Sequence, residues 1–225
     1  MEDKEQLQLR LHYTVSVIGG FVGAYALLNR ADLFGSAQTS NLIYIAGGLV
    51  GRDFAGLVLR IAALGIYISG IAAAVLIPKY TKINMHLLSL GLDGAVLVLL
   101  GFLPKEVNPF LALYPVFFVM ALQWCAFKGA GGYVSSTIFS TNNLRQMTTA
   151  LTEYLCDRKE EQLHKAGFFG KTLLFYHIGV GICFLATGPM GVKSAWICLL
   201  PVAAAAVQAA EECPVRESAL ADSLL

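Results

Sequence analysis

Charge is what this chain has least of. Asp, Glu, Lys and Arg make up 14% of its 225 residues, against about 25% in a soluble domain. A globular surface turned wholly to water is therefore excluded. The net charge of +1 identifies no partner, and nucleic acid is not expected to be one. The five cysteines, Cys125, Cys156, Cys183, Cys198 and Cys213, have no CxxC spacing and sit mostly in apolar segments. They read as small hydrophobes, with no disulfide or metal site expected. Gly-x-Ser-x-Gly and His-Glu-x-x-His patterns are missing, so the chain is expected not to be an enzyme, with no catalytic residue and no cofactor. A cleavable signal peptide is not expected either. The start "MEDKEQLQLR" mixes acidic with basic residues, and the first apolar run offers no small-residue cleavage site.

What is present is apolar length. The chain is 56% hydrophobic with a mean hydropathy of +0.64. Runs such as "FAGLVLRIAALGIYISGIAAAVLIP", Phe54 to Pro78, exceed the roughly 20 helical residues that cross a hydrocarbon core of about 30 Å. The expected fold is an all-α polytopic membrane protein. Six segments read as ordinary spans: Leu11 to Asn29, Phe54 to Pro78, Leu87 to Leu103, Phe110 to Phe127, Thr172 to Pro189, and Ser194 to Ala210. Two others do not. Ala37 to Val50 is too short to cross, and Ser136 to Leu155 carries Asn142, Asn143, Arg145, Gln146 and Glu153. Arg alone costs about 2.5–3.5 kcal/mol at a bilayer centre.

If neither odd segment crosses, both termini are cytoplasmic in a plasma (inner) membrane. Basic loop residues such as Lys79, Lys82, Lys128, Arg158 and Lys165 then gather on the cytoplasmic side, while Arg30, Arg52, Lys105 and Lys193 lie outside. The order span, odd segment, span, span then occurs twice, in 11–103 and 110–210. Three crossings per half insert the second half upside down. The predicted architecture is six transmembrane helices plus two short or re-entrant helices, in two inverted-topology repeats (3+3). Residues 1–10 form a cytoplasmic N-terminus, 156–171 a charged cytoplasmic loop that reads as a solvated helix face, and 211–225 a cytoplasmic tail. "QTSNL" at 38–42 aligns with "FSTNN" at 139–143, pairing Asn41 with Asn142, and Gly70 aligns with Gly181. Gly19/Gly23 and Gly47/Gly51 are GxxxG pairs, expected to pack helices closely.

Interrupted hydrophobic segments at corresponding places in two halves point to a transporter's binding site. A helix that starts at membrane depth also presents free N–H groups and a positive dipole end. The expected substrate-binding residues are Thr39, Ser40, Asn41, Ser140, Thr141, Asn142 and Arg145, with Gln123, at the end of the fourth span, lining the same cavity. Asp93, mid-span between Gly91 and Gly94, is either neutral or paired with a cation. With His177 it is the candidate for ion coupling. Arg60 is expected to snorkel. Two functions fit: a secondary transporter or permease for a small polar or anionic solute, or a six-span substrate-binding subunit energised by an ATPase that docks on the charged loop. The solute and the lipid bilayer are the expected partners, with a homodimer as a compatible assembly.

"GGFVGAYALL", "FGSAQTSNLIYIAGGL", "ALQWCAFKGAGG" and "SSTIFSTNNLRQMTTAL" together resemble the YoaK-like family of uncharacterised bacterial integral membrane proteins, from about Ile18 to Gly188. The resemblance implies the fold and the membrane setting and brings no activity with it. The family often has an acidic residue where Gly23 stands and an Asn where Trp124 follows Gln123. The Gly of its Thr-Gly-Asn element is Ser40 here, with Thr141 at the corresponding place in the second half. Those departures imply that this member binds something different.

Overall fold

The computed structural model describes the backbone of residues 2–30 and 38–222, with side chains over 4–30 and 38–212. Eight helices make up the described fold: α1 Glu2–Asn29, α2 Thr39–Gly51, α3 Phe54–Tyr80, α4 Met85–Phe102, α5 Pro109–Ala126, α6 Thr141–Asp157, α7 Glu160–Met190 and α8 Leu199–Asp222. A 3-10 helix, Gly191–Cys198, joins the last two. Five stretches are long and apolar enough to cross a membrane, and the last of them, Glu160–Glu212, runs for 53 residues through α7, the 3-10 helix and α8.

Helix starts follow local chemistry. Asp53, Asn84 and Asn108 each accept from a backbone N–H in the next turn of α3, α4 and α5, and Pro109 occupies the first turn of α5, where no donor is needed. α1 is the central helix. Of its apolar window 78% is buried, against 17% for α3, because it packs on α7, α8 and the 3-10 helix. The main helix pairs are α1 with α7, α3 with α5, α6 with α7, α2 with α3, α1 with α8, α4 with α5, and α4 with α8. Exchanging α1 with α5, α2 with α6, α3 with α7 and α4 with α8 leaves that set unchanged; the 3-10 helix, which packs on α4, α7 and α1, has no counterpart between α3 and α4.

Glycines permit the two closest pairs. A Cβ on Gly179 of α7 would collide with the Val17 carbonyl of α1, and one on Gly70 of α3 would collide with the Phe118 carbonyl of α5. The counterpart of Gly70 is therefore Gly179; Gly181 has nothing within 4 Å. Gly47 and Gly51 also face open space, so that GxxxG pair packs against nothing among the described residues. Gly19 meets the Thr137 carbonyl of a connecting segment rather than another helix.

The odd segments differ in detail from their expected bounds. Ser136–Ser140 is not helical, and α6 begins at Thr141 and continues to Asp157. The charged loop at 156–171 is mostly helix, since α7 starts at Glu160: Ala166, Phe168 and Phe169 face the core and extend the helix through the charged turn. The first residues of the chain also continue α1. Ser194–Cys198 belong to the 3-10 helix rather than to the last span.

Between α5 and α6 the chain makes a two-residue hairpin, Ala130 opposite Tyr133, with Gly131 and Gly132 at positive φ (57° and 77°) in its turn. The turn lies beside Leu9. From there an extended segment, 135–140, climbs along α1 until Thr137 reaches Gly19. α6 then runs back beside α7, with Met147 against Gly170. α2 lies instead along the start of α3, which is next to the start of α5: Arg60 sits over the rings of Tyr44 (4.3 Å) and Phe110 (4.9 Å). The two short helices therefore lead back toward opposite ends of the bundle. They also end alike, each on an arginine in the left-handed region, Arg52 (φ 58°) and Arg158 (φ 56°).

Arg30 closes one end of the core. It is 1% exposed, and its guanidinium donates to the Leu103 and Pro104 carbonyls at 2.9 and 2.8 Å. A cation there satisfies acceptors at the C-terminus of α4 and complements its dipole. Arg30→Gln is expected to destabilise the protein by about 2–4 kcal/mol, because charge-assisted bonds to buried carbonyls are lost. Thermal unfolding in detergent checks this.

Candidate functional site

Polar backbone inside an apolar bundle must be satisfied from within, and the segment before α6 shows how. Ser135, Ser136, Thr137 and Ile138 are all buried. Asn143 donates to the Ser136 carbonyl (2.7 Å) and the Phe139 carbonyl (3.0 Å), and its own oxygen accepts from Ser135 Oγ (3.0 Å). Ser135 Oγ has then spent its proton, so His12 Nε2, at 3.2 Å, donates to it. Gln123 donates to Thr137 Oγ1 at 3.1 Å. Asn41 does a similar task for α2, donating to Gln38 Oε1 (2.8 Å) and to the Arg60 carbonyl (3.1 Å).

Asn41 and Asn143 each stand third in their helix, and both are buried. The register between the halves is thus Asn41 with Asn143, one residue away from the expected pairing with Asn142, which is exposed and accepts from Arg145 Nη2 at 3.0 Å. Asn143→Ala is expected to cost about 2–4 kcal/mol, since it orphans a buried backbone acceptor at Ser136 and a part-buried one at Phe139 and removes the acceptor of the buried Ser135 hydroxyl. Asn142→Ala should cost under about 0.5 kcal/mol, as an exposed substitution does. Paired thermal melts compare them.

With both short helices pinned, their first turns face one cavity of about 810 Å³. Gln38, Thr39 and Leu42 line it from α2, and Ser140, Thr141, Asn142 and Arg145 from α6. Neither helix has a side-chain cap on its first N–H groups, so those donors are left for water or a solute. The remaining wall is aromatic: Tyr67 of α3, Trp124 of α5, Phe139 and Tyr176 of α7. Arg145 makes no ion pair among the described residues, with Glu153 or otherwise.

Of the residues expected to bind, the fold brings Thr39, Ser140, Thr141, Asn142 and Arg145 to this cavity. Ser40 is exposed elsewhere on α2, while Asn41 and Gln123 are buried behind the wall in the bonds just described. His177 is exposed on α7 and bonds the Leu173 carbonyl of its own helix at 2.8 Å. Asp93 is 1% exposed and lies on the α4 face that carries Leu90, Leu97 and Leu100; neither carboxyl oxygen has a hydrogen-bond partner among the described residues. The aromatic wall was not anticipated, although a signal existed. "YISG" at 67–70 and "YHIG" at 176–179 repeat a tyrosine three residues before the glycine at the close helix contact.

Five stretches long and apolar enough to cross a membrane, packed with one short helix, α2, and one polar helix, α6, are the architecture of a polytopic helical membrane protein. Within that class, the chain belongs to the family described as "Protein of unknown function (DUF1275)", matched over residues 11–208. No curated protein and no solved structure matches the chain significantly.

Proposed function

We propose that the protein is a secondary permease for a small polar or anionic solute, which binds where the first turns of α2 and α6 face each other. The observation that carries this reading is the 810 Å³ cavity lined by the starts of both short helices, with no Asp or Glu among its lining residues. The interchangeable packing of the two halves supports an inverted repeat, in which α7 and α8 cross separately and six spans leave both termini in the cytoplasm. Rocking one half against the other would then expose the cavity to each side in turn. Asp93 is the group assigned to proton coupling, because a buried carboxyl without a partner is costly to keep for structure alone. The likeness to YoaK-like proteins supports a bacterial inner membrane as the setting.

A second reading, substrate capture for an energising ATPase, rests on the exposed charged residues Asp157, Arg158, Lys159 and Glu160 at the turn into α7. Pure protein in liposomes, given a panel of radiolabelled small polar solutes and organic anions, separates the two. Saturable uptake above protein-free liposomes supports the permease. Solute binding without uptake, together with an ATPase that co-purifies, overturns it in favour of capture.

A further inference from the structure

We infer that the solute class is a flat, ring-bearing monocarboxylate; this rests on the permease reading and narrows it. The cavity lining has two chemically different walls. Tyr67, Trp124, Phe139 and Tyr176 reach it from four separate parts of the chain, with Trp124 and Phe139 edge to face at 5.1 Å. Side chains assembled in that way offer the faces and edges on which a planar ring packs. A solute without a ring would leave this wall facing water.

The rest of the lining supplies donors and a single formal charge. Arg145 is the one charged residue in the lining. Its Nη2 is held by Asn142, which orients the guanidinium across the first turn of α6. From the α2 side, Gln38 Oε1 accepts from Asn41, while Gln38 Nε2 is buried with no partner among the described residues. A carboxylate has two oxygens and needs donors for both. Arg145, whose guanidinium keeps further N–H groups beyond the one bonded to Asn142, provides them from α6, while Gln38 lines the same cavity from the α2 side. A single guanidinium balances one negative charge, whereas a phosphate dianion would leave the second uncompensated. A volume of about 810 Å³ has room for two fused rings and falls within the roughly 300–1,000 Å³ typical of small-molecule sites.

The test is calorimetric titration of the full-length protein in detergent with three probes: 2-naphthoate, 2-naphthalenemethanol and acetate. Naphthoate is expected to bind at least tenfold more tightly than either of the others. Arg145→Gln should weaken naphthoate at least tenfold and leave the alcohol unchanged; Tyr67→Leu should weaken both naphthalenes and leave acetate unchanged. Thermal melts within about 2 °C of the parent establish that each variant is folded. Acetate binding as well as naphthoate overturns the ring requirement and leaves the permease reading standing. The alcohol binding as well as naphthoate overturns the carboxylate requirement. Absence of naphthoate binding overturns the whole inference. Counterflow of labelled naphthoate in liposomes tests transport separately: binding without counterflow upholds the solute class and counts against the permease.

Discussion

Gly179→Val is expected to be among the most damaging single changes in this protein, lowering its unfolding free energy by about 3 kcal/mol or preventing its accumulation altogether. Overpacking a tight interface commonly costs about 1–3 kcal/mol, and here the obstacle is backbone. The first added carbon meets the Val17 carbonyl and lies 2.9 Å from the Phe21 nitrogen, so neither side can yield by changing a rotamer. α1 and α7 must separate, and α1 is the helix around which the core is built. Gly70→Val should do the same to α3 and α5, since the Phe118 carbonyl stands in its way. Gly181→Val, two residues beyond Gly179, is the control. It faces open space and should stay within about 1 kcal/mol of the parent, in the range of surface changes. Chemical unfolding in mild detergent ranks the three variants. Equal effects at Gly179 and Gly181 would contradict the helix contact described here.

Asp93→Leu is expected to act in the opposite direction on stability while abolishing the proposed proton coupling. Both carboxyl oxygens are buried without a partner, and the same face of α4 carries Leu90, Leu97 and Leu100 in the main core cluster. An unpartnered polar group in such a place costs about 1–3 kcal/mol. Leucine fills similar space, so the variant should gain about that amount and melt at a higher temperature. A destabilising carboxyl among leucines calls for another reason to be there, and proton coupling is the one proposed. Uptake by Asp93→Leu and Asp93→Asn should therefore lose its dependence on an imposed proton gradient, while solute binding at the α2–α6 cavity persists. A lower melting temperature in both variants would show instead that the carboxyl is structural.

Much of the architecture was readable from apolar run length alone, because backbone without water has to be helical and a helix has to be long enough to cross. "CDRKEEQLHK" reads by its charge as a loop with a solvated helix face, and it is helical from Glu160, because the apolar residues that fix α7 in the core, Ala166, Phe168 and Phe169, lie just after it and carry the helix back. Adjacent asparagines hid the register: in composition Asn142 and Asn143 are equivalent, and only the bonds to Ser136 and Phe139 distinguish the buried one. Five of the eight expected binding residues line the cavity, because polar side chains at the start of a helix in an apolar chain stand out. The aromatic half did not stand out. Tyr67 and Tyr176 inside long apolar helices look like ordinary core until the fold turns both toward the same space.

Cysteine accessibility shows whether the first turns of α2 and α6 line a solute cavity reached from water. Thr39 and Thr141, one from each short helix, are replaced singly by cysteine in a chain whose native cysteines are changed to serine or alanine. Leu185, an exposed apolar residue on α7 outside the cavity, receives the same change as a lipid-facing reference. In sealed vesicles, a membrane-impermeant thiol reagent should label Thr39→Cys and Thr141→Cys, and 2-naphthoate should slow that labelling, while Leu185→Cys stays unreactive. If Thr39→Cys and Thr141→Cys are as unreactive as Leu185→Cys from both sides of the membrane, the two helix starts do not share a water-reached cavity and the protein is not a permease that binds its solute there.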